Sequence, residues 1–109
     1  MNDISEIKRE LDDITKIIAD TAPVEEIYLF GSYAYGIPNE DSDLDLYIVF
    51  KDEMDIRELD AIRSIRSAVY PVEKKPIDFL GLKQNRFLYR KNYATLERKI
   101  VREGIKLYG

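Results

Sequence analysis

The chain contains no cysteine and no histidine. Their absence excludes disulfides, thiolate zinc sites, imidazole metal ligands and every catalytic pair that activates a nucleophile with histidine. Any chemistry must run on carboxylates, hydroxyls and bound ions. Long apolar runs are missing as well: the opening residues, MNDISEIKRE, lack the core of a signal peptide, and no stretch approaches membrane-spanning length. A cytoplasmic location, away from membranes, is expected. Nor is there an excess of positive charge. Seventeen Lys and Arg against 21 Asp and Glu leave a net charge of −4, with a pI near 4.9. Such a chain has no overall field to gather phosphate backbones, which argues against generic nucleic-acid binding. An acidic surface suits a basic protein partner better.

What is there fits one domain over residues 1–109: 45% apolar and 35% charged residues, with no repeat, linker or low-complexity stretch. A core of this size leaves much apolar surface in water, and eight tyrosines leave room for a homo- or hetero-oligomeric contact. Ile4, Ile7, Leu11, Ile14, Ile17 and Ile18 recur at helical spacing, so residues 2–20 read as a helix closed by Pro23. Val24 to Phe30 reads as a strand that stops at Gly31. Residues 31–42 hold turn formers and read as a loop with one helical turn at Tyr33–Tyr35. DLDLYIVF, residues 43–50, alternates acid and Leu and then becomes wholly apolar, as a strand does when only one end reaches a polar cleft.

Asp55 and Glu58 resemble a capping box opening a second helix, whose apolar positions Ile56, Leu59, Ile62, Ile65 and Val69 run on to Pro71. PIDFLG, residues 76–81, is a third strand. Residues 83–103 read as one or two helices, with Leu88, Leu96, Ile100 and Val101 as apolar contacts, Asn92 as a cap and Gly104 as the stop. The tail, GIKLYG, is left unassigned. The order implies an α/β (α+β) unit, a small mixed β-sheet with helices packed against it.

Asp43 and Asp45 lie two apart on a strand, so both carboxylates project from one face while Leu44 and Leu46 project from the other. Two like charges so close need a cation. All-oxygen ligands without imidazole or thiolate favour magnesium, which binds one or two carboxylates and completes its shell with water and phosphate oxygens. Gly31 and Ser32, at the end of the preceding strand, let the backbone approach a phosphate and offer it a hydroxyl and an N–H. Asp78 is the only acid in an apolar strand, a costly placement unless it serves a metal, a partner charge or a reacting proton. Asp41 and Ser42 read as loop solvation. Tyr33 and Tyr35 read as surface packing, and the cations of residues 57–66 and 83–91 as solvated helix faces.

GSYAYGIPNEDSDLDL, residues 31–46, resembles the Gly-Ser, ten residues, Asp-x-Asp signature of the polymerase-beta-like nucleotidyltransferase superfamily. The short chain and its C-terminal LERKIVREGIKLYG resemble the minimal nucleotidyltransferase branch. That resemblance implies a polymerase-beta-like fold, Asp43, Asp45 and Asp78 as catalytic and metal-binding acids, and Gly31 and Ser32 on the triphosphate. It implies two magnesium ions and ATP as substrate. It also implies a partner, since many members of the branch are antitoxins that transfer AMP onto a tyrosine of a helical HEPN-domain toxin. Two further expectations compete with this one: an antitoxin acting by contact alone, and the catalytic subunit of a two-protein enzyme that modifies small molecules.

Overall fold

The computed structural model describes residues 4–38 and 42–109, with side chains of the first helix described from Ile7 onward. Residues 2 and 3 of the expected first helix, and Asp41, lie outside the described residues. The apolar stripe does form that helix, α1, over Ile4–Thr21. Its Ile7, Leu11, Ile14 and Ile18 are buried. Strand β1 then runs over Val24–Phe30, and a single helical turn, α2, over Ser32–Tyr35. Next come β2, Leu44–Phe50, and α3, Glu58–Val69. A short 3-10 turn, Tyr70–Val72, leads into β3, Ile77–Lys83. Helices α4, Gln84–Arg90, and α5, Leu96–Glu103, precede β4, Ile105–Tyr108.

The four strands form a mixed sheet in the order β3-β2-β1-β4. β1 pairs antiparallel with both β2 and β4, and β2 pairs parallel with β3. The parallel pair requires a crossover, which α3 supplies. Alternation divides the side chains between two faces. Leu44, Leu46, Ile48 and Phe50 of β2 join Ile27 and Leu29 of β1 and Ile77 and Phe79 of β3 in the main core under α1 and α3. Fully burying each such side chain contributes roughly 1.5–3 kcal/mol against leaving it in water. On the opposite face Tyr28, Phe30, Tyr47 and Val49 form a second cluster with Phe87 of α4 and Ile100 of α5. Among the described residues no helix is long and apolar enough to cross a membrane.

Several boundaries depart from the sequence expectation. Arg57, not Asp55, sits at the N-cap of α3, and no side chain caps it. Glu58 is instead drawn across to β3 and α4, where it accepts from the Lys83 N–H at 3.2 Å and from Arg86 at 3.3 Å. Ile56 and Leu59 are therefore exposed. Thr95, not Asn92, caps α5 by accepting from the Arg98 N–H at 3.2 Å, and Asn92 donates to the Leu88 carbonyl. Leu88, Leu96 and Val101, expected as packing residues, stand exposed, whereas Ile100 is fully buried. The unassigned tail is the edge strand β4.

Candidate active site

The ends of three adjacent strands meet at one edge of the second face. β1 finishes where β2 begins, so Phe30 pairs with Asp45. β3 begins beside the start of β2, and Asp45 pairs in register with Asp78. Leu44 extends this end by donating its N–H to the Pro76 carbonyl at 3.0 Å. Every residue of β2 is buried except Asp45, which is partly so. Asp78 is exposed, as is Asp43 just before the strand. Alternation sends Asp43, Asp45 and Tyr47 to the same face.

Gly31 fixes the other wall. Its φ of 76° and ψ of −157° belong to a region that residues with a Cβ essentially never adopt. A Cβ there would collide with the Asp45 carboxylate. The chain then turns at once into α2, with Ala34 and Tyr35 N–H groups donating to the Gly31 carbonyl at 3.0 and 3.1 Å. Gly36 closes the turn, since a Cβ on it would lie 2.9 Å from Ser32 Cα. The two tyrosines of α2 anchor it on opposite faces. Tyr33 is buried in the main core, and its hydroxyl accepts from Lys75 Nζ at 2.7 Å. Tyr35 packs on the second cluster, with Lys99 Nζ of α5 4.5 Å from its ring centre. These tyrosines therefore position the Gly-Ser turn, a role that surface packing did not anticipate.

Among the described residues, every influence on the Asp45 carboxylate opposes its charge. Asp45 is pushed up to about 6 by burial first, then by the Asp78 charge and a shared side-chain hydrogen bond, then by Asp43. A proton shared between the carboxylates relieves their repulsion, as a cation placed between them would. The donor set, oxygen only, fits magnesium. Among the described residues no three acids are gathered tightly enough to hold an ion by themselves. A surface cavity of about 610 Å³ between Arg9, Glu10, Asp13 and Pro71–Lys74 shares no residue with these acids. Volume is a poorer guide than donor groups in a site whose walls are partly its ligands.

Sequence reasoning missed the support behind the acids. Tyr47, two residues beyond Asp45, donates its hydroxyl to Glu97 Oε2 at 2.7 Å, and Arg90 Nε meets Glu97 Oε1 at 2.9 Å. Glu97 is only 5% exposed. Burial and the bond to Glu97 push the Tyr47 phenol up. The available signal was a lone acid in the otherwise basic stretch 83–102.

The mixed sheet thus brings Asp45 and Asp78 together beside the Gly31–Ser32 turn. Residues 12–109 match the polymerase beta nucleotidyltransferase family, and the chain belongs to that family. Its fold resembles a solved "putative minimal nucleotidyltransferase", with a TM-score of 0.66 at 24% identity over 95% of both chains. It also resembles a chain of a toxin–antitoxin structure with AMP-PNP, with a TM-score of 0.59 at 24% identity over 91% of this chain and 73% of that one. By sequence it is 44% identical over 52 residues to a "putative protein adenylyltransferase" of Methanocaldococcus jannaschii, covering 48% of this chain and 52% of the relative. The chain thus spans about half the length of the curated relative that it matches.

Proposed function

We propose that this chain is a minimal nucleotidyltransferase domain that uses magnesium to transfer AMP from ATP to a hydroxyl, a tyrosine of a helical HEPN-domain partner that it silences as an antitoxin. The observation that carries the reading is the opposition of Asp45 and Asp78 in adjacent strands, with Gly31 pressed against Asp45. Asp43 and Asp45 are the metal-holding acids, and Asp78 is a further ligand or the base. Bound magnesium supplies neutralisation of charge on the phosphates and the leaving pyrophosphate. Gly31 and Ser32 give the triphosphate a backbone without steric bulk, an N–H and a hydroxyl.

In the transfer the acceptor oxygen forms a bond to the α-phosphorus, and the bond from that phosphorus to the bridging oxygen of pyrophosphate breaks. Where Asp78 serves as the base, the acceptor proton passes to its carboxylate. The adenylyltransferase relative and the likeness to a toxin–antitoxin chain support ATP and a protein acceptor. The test is incubation with magnesium and α-labelled ATP, with and without the protein encoded in the neighbouring reading frame. Label should appear on that protein and vanish with Asp43→Ala/Asp45→Ala. Absence of transfer from any triphosphate, with the double variant still silencing the partner, would replace this reading with inhibition by contact alone.

A further inference from the structure

The net charge of −4 conceals an uneven distribution. Residues 83–102 hold seven of the 17 cations and one of the 21 acids; the remainder of the chain holds ten cations and twenty acids. The one acid of that stretch, Glu97, is turned inward onto Tyr47 and Arg90. The outer surface of α4 and α5 thus carries a single acid of its own, Glu103, the last residue of α5. At its N-terminal end neighbouring elements intrude, with Glu58 meeting Arg86 and Asp52 accepting from the Asn85 N–H. The basic character is concentrated at the other end, where Lys91, Asn92, Arg98, Val101 and Arg102 line a shallow cavity of about 220 Å³.

The same surface shows apolar side chains that neither core accepts. Tyr89 and Tyr93 are 65% and 53% exposed, and their ring centres lie 5.2 Å apart. Leu88 and Val101 are also exposed. Tyrosine and arginine together with partly exposed aliphatics are the composition of a protein-binding surface, in which aromatic and Arg anchors carry most of the affinity. α4 and α5 cover the sheet face that bears Asp45 and Asp78, and α5 reaches α2 through Lys99 and Tyr35.

We infer that the outer face of α4 and α5 is the docking surface for an acidic region of a protein partner, which sets its acceptor side chain on the face that carries the paired acids. Charge complementarity fixes the sign of the partner. A polynucleotide is the poorer occupant, because it would run past a short basic patch onto a surface where acids outnumber cations two to one. It would also leave Leu88 and Val101 without apolar contact. The inference rests on the transfer reading for what docking accomplishes, and not for docking itself.

The test is titration of the isotope-labelled protein, followed by NMR, with a synthetic amphipathic helix bearing Leu on one side and Glu on the other. Parallel titrations use the same peptide with Lys for Glu and a uridine oligoribonucleotide. Shifts confined to α4 and α5 with the Glu peptide, weakened more than about tenfold in Lys91→Glu/Arg98→Glu/Arg102→Glu, are expected. Tyr89→Ser/Tyr93→Ser, which leaves the charges in place, should weaken binding separately. Shifts elsewhere, equal response to the Lys peptide, or tighter binding of the RNA on these residues would each overturn the inference. Docking is also measured with Asp43→Ala/Asp45→Ala. If the peptide docks while no partner protein is ever labelled, the transfer reading fails alone; if labelling proceeds without docking here, this inference fails alone.

Discussion

Two carboxylates on one side of the sheet meet opposite surroundings. Glu97 is nearly fully buried, and burial works to raise its pKa, yet the Tyr47 hydroxyl, its own backbone N–H and Arg90 together hold it below the usual range. Asp45 is less buried, but every influence on it acts in the other direction: burial, Asp78, then Asp43 push it up to about 6. A carboxylate that the protein itself satisfies is part of the architecture. One whose neighbours all oppose its charge is completed from outside, by a proton or by a cation. The two acids are joined through β2, where Asp45 and Tyr47 stand two residues apart, so the satisfied acid supports the strand that presents the unsatisfied one.

Exchanging the charge of each acid breaks this comparison most directly. On the proposed transfer reading, Asp45→Asn should lower adenylyl transfer by about a thousandfold or more, because a charge that held the metal would contribute several kcal/mol to the transition state. Its thermal midpoint should hold or rise, since a repulsive pair has gone. Glu97→Leu should do the reverse. It strands the Tyr47 hydroxyl and Arg90, at a cost of about 2–4 kcal/mol read as a lower urea midpoint, while folded molecules retain most of their transfer activity. Equal loss of activity in both variants would mean that Glu97 takes part in the chemistry and the division is wrong.

Gly31→Ala tests the wall between them. The φ of 76° alone should cost about 1–3 kcal/mol, and the added methyl meets the Asp45 carboxylate. In an Asp45→Ala background the steric part should disappear and the conformational part remain. A double-mutant cycle on chemical denaturation should therefore give a coupling of about 0.5–2 kcal/mol. Strict additivity would show that the turn and the acid are independent.

The sequence exposed the acids more readily than their support, for physical reasons. Pairing of Asp43 with Asp45 follows from strand alternation, and the break at Gly31 follows from a strand ending in a residue without Cβ, so β1 appears with its observed bounds. Asp78 stood out because a single acid among Pro76, Ile77, Phe79 and Leu80 has no local explanation. The alignment of Asp78 with Asp45 depends on a crossover through α3, which no local pattern encodes. Glu97 was hidden for the same reason, its partner Tyr47 being fifty residues away. Ile56 and Leu59 misled because their spacing matches a helix face, while the cross-element bonds of Glu58 decide where that helix starts. Leu88, Leu96 and Val101 misled in the same way, their apolar character serving an outer surface instead of the core. The tail, too short for periodicity, is a strand only because the edge of β1 is there to pair with it.

The smallest effect, and the finest test of the two environments, lies in pH. The folded protein holds the Asp45 proton more tightly than the unfolded chain, about 6 against 3.8. Without metal this group favours folding below about pH 4, and that advantage is lost as pH rises through about 6. Glu97 runs the other way: its lowered pKa gives stability that is present above its unfolded value of 4.5 and lost as pH falls through its folded one. After solvent screening the Asp45 contribution should be about 1 kcal/mol or less. Thermal midpoints across this range should therefore decline gently towards neutrality in the metal-free protein and become flatter in Asp45→Asn. Magnesium should raise them more above about pH 6 than below it, because the cation takes the place of the proton that ionisation removes. A decline that is identical in Asp45→Asn would move the opposed charge away from the paired acids, and the contrast between the two carboxylates would go with it.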